Sequence, residues 1–185
     1  MDTIGEVLIT QGQIADAVNR MGKEISADYE GKELLLVGIL KGAFLTMADL
    51  ARAVTVPVEF DFMAVSSYGD ATKSSGVVRI LKDLDQEISH RHVVIVEDIV
   101  DTGLTLHYLL ENLKVRQPAS LEIAALLVKE GLQQIPIDVK YRGFDIPPDF
   151  VIGYGLDYAG LYRNLPYISV LDENDLPELP WESEG

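Results

Sequence analysis

Short apolar runs that each break into a polar turn ahead of a helix-like stretch constrain this chain more than any other feature. The run Leu34–Leu40 gives way to Lys41-Gly42, after which Phe44, Met47, Leu50 and Arg52 mark a helix over 42–53. The β-branched run 93–96 ends in Glu97 and Asp98, and Leu104–Lys114 then follows with helical character. Apolar runs of this length bounded by turn signals read as buried strands. Further strands are expected at 121–128, 150–154 and 167–171. This alternation predicts an α/β fold with a mainly parallel sheet flanked by helices.

Ile14, Val18, Met21 and Ile25 recur at helical spacing, so an amphipathic helix over 13–28 opens the chain. After Pro57, Val58, Phe60, Phe62 and Ala64 alternate with Glu59, Asp61 and Met63, the period of a half-covered strand. The polar stretch 66–76 interrupts before an extended pattern resumes at 77–81, and it predicts a mobile loop.

At 185 residues, 48% of them hydrophobic, the chain fits one packed domain over 1–185. The longest apolar run, Leu34–Leu40, falls far below the ~20 residues of a membrane helix. Without cysteine, neither a disulfide framework nor a thiolate metal site is possible, which suits a reducing cytoplasm. A formal charge of −15 would repel a phosphate polymer and argues against a nucleic-acid binder. Asp172, Glu173, Asp175, Glu178, Glu182 and Glu184 concentrate part of that charge in an acidic tail, about 172–185.

The segment from Val93 to Thr105 carries the chemistry. Two carboxylates, Glu97 and Asp98, stand at a strand end, followed by Asp101, Thr102, Gly103, Leu104 and Thr105 where a helix begins. Gly103 lets the backbone approach a ligand, Thr102 and Thr105 supply hydroxyls, and the opening helix offers unpaired amides to an anion. Glu97 and Asp98 would repel that anion but can accept sugar hydroxyls or help hold Mg²⁺. A ribose phosphate uses both halves. Equally, Asp98 or Asp101 taken singly could simply cap the helix. Neither GxxxxGK[ST] nor GxGxxG occurs.

The run VVIVEDIVDTGLT resembles the signature of the type I phosphoribosyltransferases, and the likeness extends in colinear order from about residue 5 to about residue 172. It implies a Rossmann-like fold with a flexible catalytic loop and a small C-terminal hood. By the same resemblance, Glu97 and Asp98 hold the ribose hydroxyls, Asp101 to Thr105 wrap the 5′-phosphate, and Asp101 is the general base toward a purine. Lys41 and Gly42 resemble the pyrophosphate loop, whose peptide can be cis in the family, and Ser67-Tyr68 match the pair in its catalytic hood. Lys129 would donate to the purine 6-oxo group, Phe150 would stack on the base, and the Val151 backbone would read its edge. Asp157 falls beside the base and serves Mg²⁺ together with Glu97 and Asp98, and Arg163 meets pyrophosphate. One departure is plain: family members commonly carry an arginine shortly after that lysine, whereas Glu130-Gly-Leu-Gln-Gln134 has none.

The resemblance therefore implies Mg²⁺-dependent purine salvage of the hypoxanthine-guanine kind, with a purine base and phosphoribosyl pyrophosphate as substrates and a homodimer or homotetramer as the assembly. Two rivals remain at this stage. One is a xanthine- or pyrimidine-preferring relative, although pyrimidine-type members often lack an acid at the place of Asp101. The other is a non-catalytic nucleotide sensor that binds RNA. His90, His92 and His107 form no metal-ligand pattern and are expected to be structural or superficial.

Overall fold

The computed structural model describes residues 4–68 and 77–172. Its strands are β1 (Glu6–Ile9), β2 (Leu34–Leu40), β3 (Val58–Tyr68), β4 (Val77–Lys82), β5 (His92–Val100), β6 (Ser120–Lys129), β7 (Tyr141–Ile146), β8 (Val151–Ile152) and β9 (Ile168–Val170). Three helices, α1 (Gln11–Asp28), α2 (Phe44–Ala53) and α3 (Leu104–Lys114), complete the described elements.

Six strands form one sheet in the order β4-β3-β2-β5-β6-β7, and every pairing in it is parallel except β3 with β4. Successive residues of a strand face opposite ways, so the two sides of the sheet sort the apolar runs between two cores. Leu34, Leu36, Val94, Val96 and Leu126 pack under α1 and α2, while Leu35, Val37, Ile39, Val93, Ile95 and Ile123 pack with Leu106, Leu109 and Leu113 of α3. No described helix is long and apolar enough to cross a membrane.

From β2 the chain runs outward to β3, whereas β5 lies on the other flank of β2 and leads to β6. The carboxyl ends of β2 and β5 therefore diverge at a topological switch point, where open α/β sheets collect ligands. The turn after β2 carries Lys41-Gly42 and the turn after β5 carries Asp101 to Thr105.

Several expected boundaries shift for identifiable reasons. Helix α1 starts two residues early because Thr10 caps it, accepting from Gln13 N–H while the Gln13 side chain accepts from Thr10 N–H. The expected 150–154 and 167–171 strands shrink to β8 and β9, which join β1 in a small antiparallel sheet. The mobile loop expected over 66–76 loses its first three residues to β3, where Ser67 and Tyr68 pair with Val78 and Val77. The rest of that loop, like the acidic tail beyond Asp172, lies outside the described residues.

The alternation along β3 is real, but Phe60 is 46% exposed, whereas Asp61 and Met63 are buried at 5% and 0%. Asp61 is tolerated inside because its carboxylate accepts from Phe62, Asp85 and Gln86 N–H and stands 3.5 Å from Lys82 Nζ.

Candidate functional site

Strand β5 delivers Glu97 and Asp98 to its carboxyl end, the first 8% exposed, the second partly enclosed. Burial, with repulsion from Asp98 added, pushes the Glu97 carboxyl well above the usual carboxylate range. Asp98 rises to about 6: burial is the largest cause and the Asp157 charge adds to it, against the Ile99 N–H and Arg163.

Neither Asp98 nor Asp101 caps α3. Its N-cap is Gly103, in the left-handed region at φ 81°, with no side-chain cap bond. The nearest hydroxyl, Thr102 Oγ1, stands 3.5 Å from Leu104 N–H, long for a hydrogen bond. The start of α3 is thus left open toward an anion. Beside it lies a cavity of about 120 Å³ lined by Glu97, Val100, Asp101, Thr102, Gly103 and Thr105, among others. That is smaller than the ~300 Å³ at which small-molecule pockets begin, so it suits one end of a ligand. Gly103 is needed for a reason the sequence did not suggest. A Cβ there would stand 2.9 Å from Ile135 O and from Ile137 Cγ1, so the glycine admits the following loop as well as its own φ.

The β2 turn meets this strand end closely. The Leu40–Lys41 peptide is cis. A Cβ at Gly42 would fall 1.7 Å from Asp98 Oδ2, so only glycine fits there while the carboxylate stays in place. From the other side, a Cβ at Gly155 would fall 2.1 Å from Gly42 O, which seats the 153–156 turn directly on the same residue.

Lys129, the last residue of β6, reaches across with Nζ 3.2 Å from Asp101 Oδ2. Arg163 pairs with Asp157 at 2.6 Å and donates to Gly155 O at 2.5 Å, and Asp157 also accepts Gly160 N–H at 2.7 Å. Phe150 meets Tyr158 edge-on, with ring centroids 6.3 Å apart, while Val151 is buried in β8. Among the described residues no three His, Asp or Glu side chains gather into a ready-made metal cluster. Ser67 and Tyr68 are placed only as the end of β3.

The open start of α3, the glycine contact between two turns and the Lys129–Asp101 pair thus meet at one switch point. Residues 7–159 match the family model described as a phosphoribosyl transferase domain. The chain belongs to that family. Similar proteins include the hypoxanthine-guanine phosphoribosyltransferase of Mycobacterium avium, 53% identical over 175 residues, with 91% of this chain and 86% of that one covered. The hypoxanthine-guanine phosphoribosyltransferase of Dictyostelium discoideum is 50% identical over 172 residues, covering 91% and 96%. Among solved structures, a hypoxanthine phosphoribosyltransferase from Staphylococcus aureus superposes with a TM-score of 0.88 at 46% identity, covering 91% and 92%.

This phosphoribosyltransferase also holds residues at the site that sequence patterns passed over. Tyr154, buried and at φ 48°, donates its hydroxyl to Asp49 Oδ2 of α2 at 2.5 Å. Nothing in the local pattern signals that pairing, because the two residues are 105 apart.

Proposed function

We infer that the protein transfers the phosphoribosyl group of phosphoribosyl pyrophosphate to hypoxanthine and guanine, releasing pyrophosphate and serving purine salvage. One observation carries the choice of base: Lys129 Nζ and Asp101 Oδ2 stand side by side, 3.2 Å apart. A 6-oxopurine presents a carbonyl acceptor next to an imidazole N–H donor, and an ammonium beside a carboxylate complements that pair. Adenine would turn an amino donor toward the ammonium, leaving two buried donors facing each other. The relatives do not favour a xanthine or pyrimidine preference, or an RNA-binding regulator.

In the proposed arrangement the amides and hydroxyls of Asp101 to Thr105 grip the 5′-phosphate, and Glu97 and Asp98 take the ribose hydroxyls. Glu97, whose carboxyl is pushed up by burial, accepts from a ribose hydroxyl there. Lys41, the Gly42 amide and Arg163 take the diphosphate, Phe150 stacks on the base, and the Val151 backbone reads its edge. The Ser67-Tyr68 end of β3 leads into the loop expected to exclude water. Asp98 and Asp157 suit Mg²⁺, since the Asp157 charge disfavours a second anion at Asp98 and this ion is commonly held by one or two carboxylates plus phosphate oxygens. When bound, it supplies positive charge to the leaving diphosphate; Glu97 is the less suited third ligand, being buried and pushed toward neutrality.

As the C1–O bond to pyrophosphate lengthens, the base nitrogen forms its bond to C1. Asp101 accepts the proton from the other imidazole nitrogen, which keeps the attacking ring electron-rich. Lys129 leaves Asp101 for the oxo group or shares both, so the carboxylate is freed as the base arrives.

A competition assay among hypoxanthine, guanine, xanthine, adenine and uracil with phosphoribosyl pyrophosphate tests this assignment. Pyrophosphate release with hypoxanthine and guanine well ahead of the others is expected; turnover led by uracil or xanthine, or salt-sensitive RNA binding without pyrophosphate release, would overturn it. The exposed Phe44 and Phe60 support a homodimer or homotetramer, which sedimentation decides. The cysteine-free sequence accords with a cytoplasmic location.

A further inference from the structure

The pyrophosphate side of the site is assembled from pieces far apart in the chain. Lys41 and Gly42 stand in the turn that opens α2, while Arg163 lies in the segment after β8. Backbone bonds fold that later segment on itself: Tyr154 N–H donates to Leu165 O and Gly155 N–H to Arg163 O, both at 2.9 Å. Gly155 in turn lies on Gly42, and its carbonyl orients the Arg163 guanidinium. A side-chain bond from the neighbouring residue, Tyr154 Oη to Asp49 Oδ2, ties the folded segment to α2, where Tyr154 and Leu156 share an apolar cluster with Met47 and Leu50. Asp49 sits on the same helix that Lys41-Gly42 opens, and its other oxygen is engaged by Arg52.

We propose, resting on the phosphoribosyl-transfer assignment above, that Asp49 and Tyr154 are positioning residues that set the spacing between Gly42 and Arg163 for the diphosphate. Tyr154 is buried, in the left-handed region and 2.5 Å from its acceptor. A tyrosine rarely adopts that backbone conformation unless its surroundings fix it. Burial first, and then the Asp49 carboxylate, push the phenol far above its ordinary pKa, so the hydroxyl stays a donor at any working pH. Tyr154 bonds Asp49 of α2, whereas the purine-reading pair, Lys129 and Asp101, stands on β6 and the β5 turn.

The test compares the parent protein with Tyr154→Phe, Asp49→Asn and the double variant, measuring magnesium pyrophosphate binding by calorimetry, KM for each substrate and thermal midpoint. Pyrophosphate affinity and KM for phosphoribosyl pyrophosphate are expected to worsen about tenfold in Tyr154→Phe, with KM for hypoxanthine within about twofold. Asp49→Asn should give a smaller loss of the same kind, and the double variant should be no worse than Tyr154→Phe alone, because one bond is removed once. Lowered thermal midpoints with unchanged pyrophosphate affinity, additive losses, or equal losses for both substrates would overturn the proposal. Should Tyr154→Phe fail to fold, Asp49→Asn carries the same decision. A parent that neither binds pyrophosphate nor releases it would instead sink the transfer assignment itself.

Discussion

The two halves of the cleft are built by opposite means. In the proposed arrangement the ribose-phosphate half comes from a single unbroken stretch, Glu97 to Thr105, in which strand end, turn and helix start are consecutive. The proposed diphosphate half is put together from Lys41-Gly42, the 153–163 segment and, behind them, Asp49 of α2. A contiguous half depends on local backbone geometry and tolerates loosening elsewhere. An assembled half depends on contacts between distant segments, so it fails by misplacement before it fails by unfolding.

The largest expected effect lies in the contiguous half. Asp101→Asn should lower kcat by roughly 10²- to 10⁴-fold in steady-state assays while leaving nucleoside monophosphate affinity nearly intact; a loss of only a few-fold would remove Asp101 as the base. Gly42→Ala probes the assembled half, since its methyl would strike Asp98 Oδ2. Displacement of either group should reduce kcat/KM for phosphoribosyl pyrophosphate by about 10²-fold with circular dichroism unchanged. Equal loss of thermal stability in both variants would erase the contrast.

Lys129→Gln should narrow the preference for hypoxanthine over adenine by about tenfold or more, read as a ratio of kcat/KM values, because a side-chain amide can face either group. Gly103→Ala should lower the thermal midpoint by several degrees, as a left-handed residue without glycine costs about 1–3 kcal/mol and ~1 kcal/mol moves a chain of this size by about 2–4 °C.

The smallest effect is in pH dependence. The Asp98 carboxyl is raised from 3.8 to about 6, so between those values the folded protein binds more protons than the unfolded chain. Its contribution to stability is therefore full below about 4 and is lost as pH rises through about 6. Thermal melts in chelator across this range should show that decline, and Asp98→Asn should reduce it, leaving the part that the likewise raised Glu97 contributes.

The sequence made the contiguous half legible because strand periodicity, turn chemistry and helix start all fall in one window. Strand β2 and helix α3 matched the expected bounds without change. Strands β1 and β7 were missed; β1 is a four-residue strand whose partner, β9, lies at the far end of the chain. The inside and outside of β3 were not settled by its alternation, because an aspartate with four partners supplied by distant residues and its neighbour can be buried where a phenylalanine is exposed. The Asp49–Tyr154 bond was invisible for the same reason. No periodicity records a contact between a helix and a turn formed a hundred residues later.

The pairings Lys129–Asp101 and Arg163–Asp157 have a consequence for ligand choice. With each of these two cations already neutralised by a resident acid, neither position by itself offers much bare positive field to stray sulfate or polyanions. A guest must offer the cation something better than the carboxylate it leaves, and must satisfy that carboxylate as well. Bipolar guests, such as a base with donor and acceptor edges or a metal-bound diphosphate, meet both demands, and simple anions meet only one.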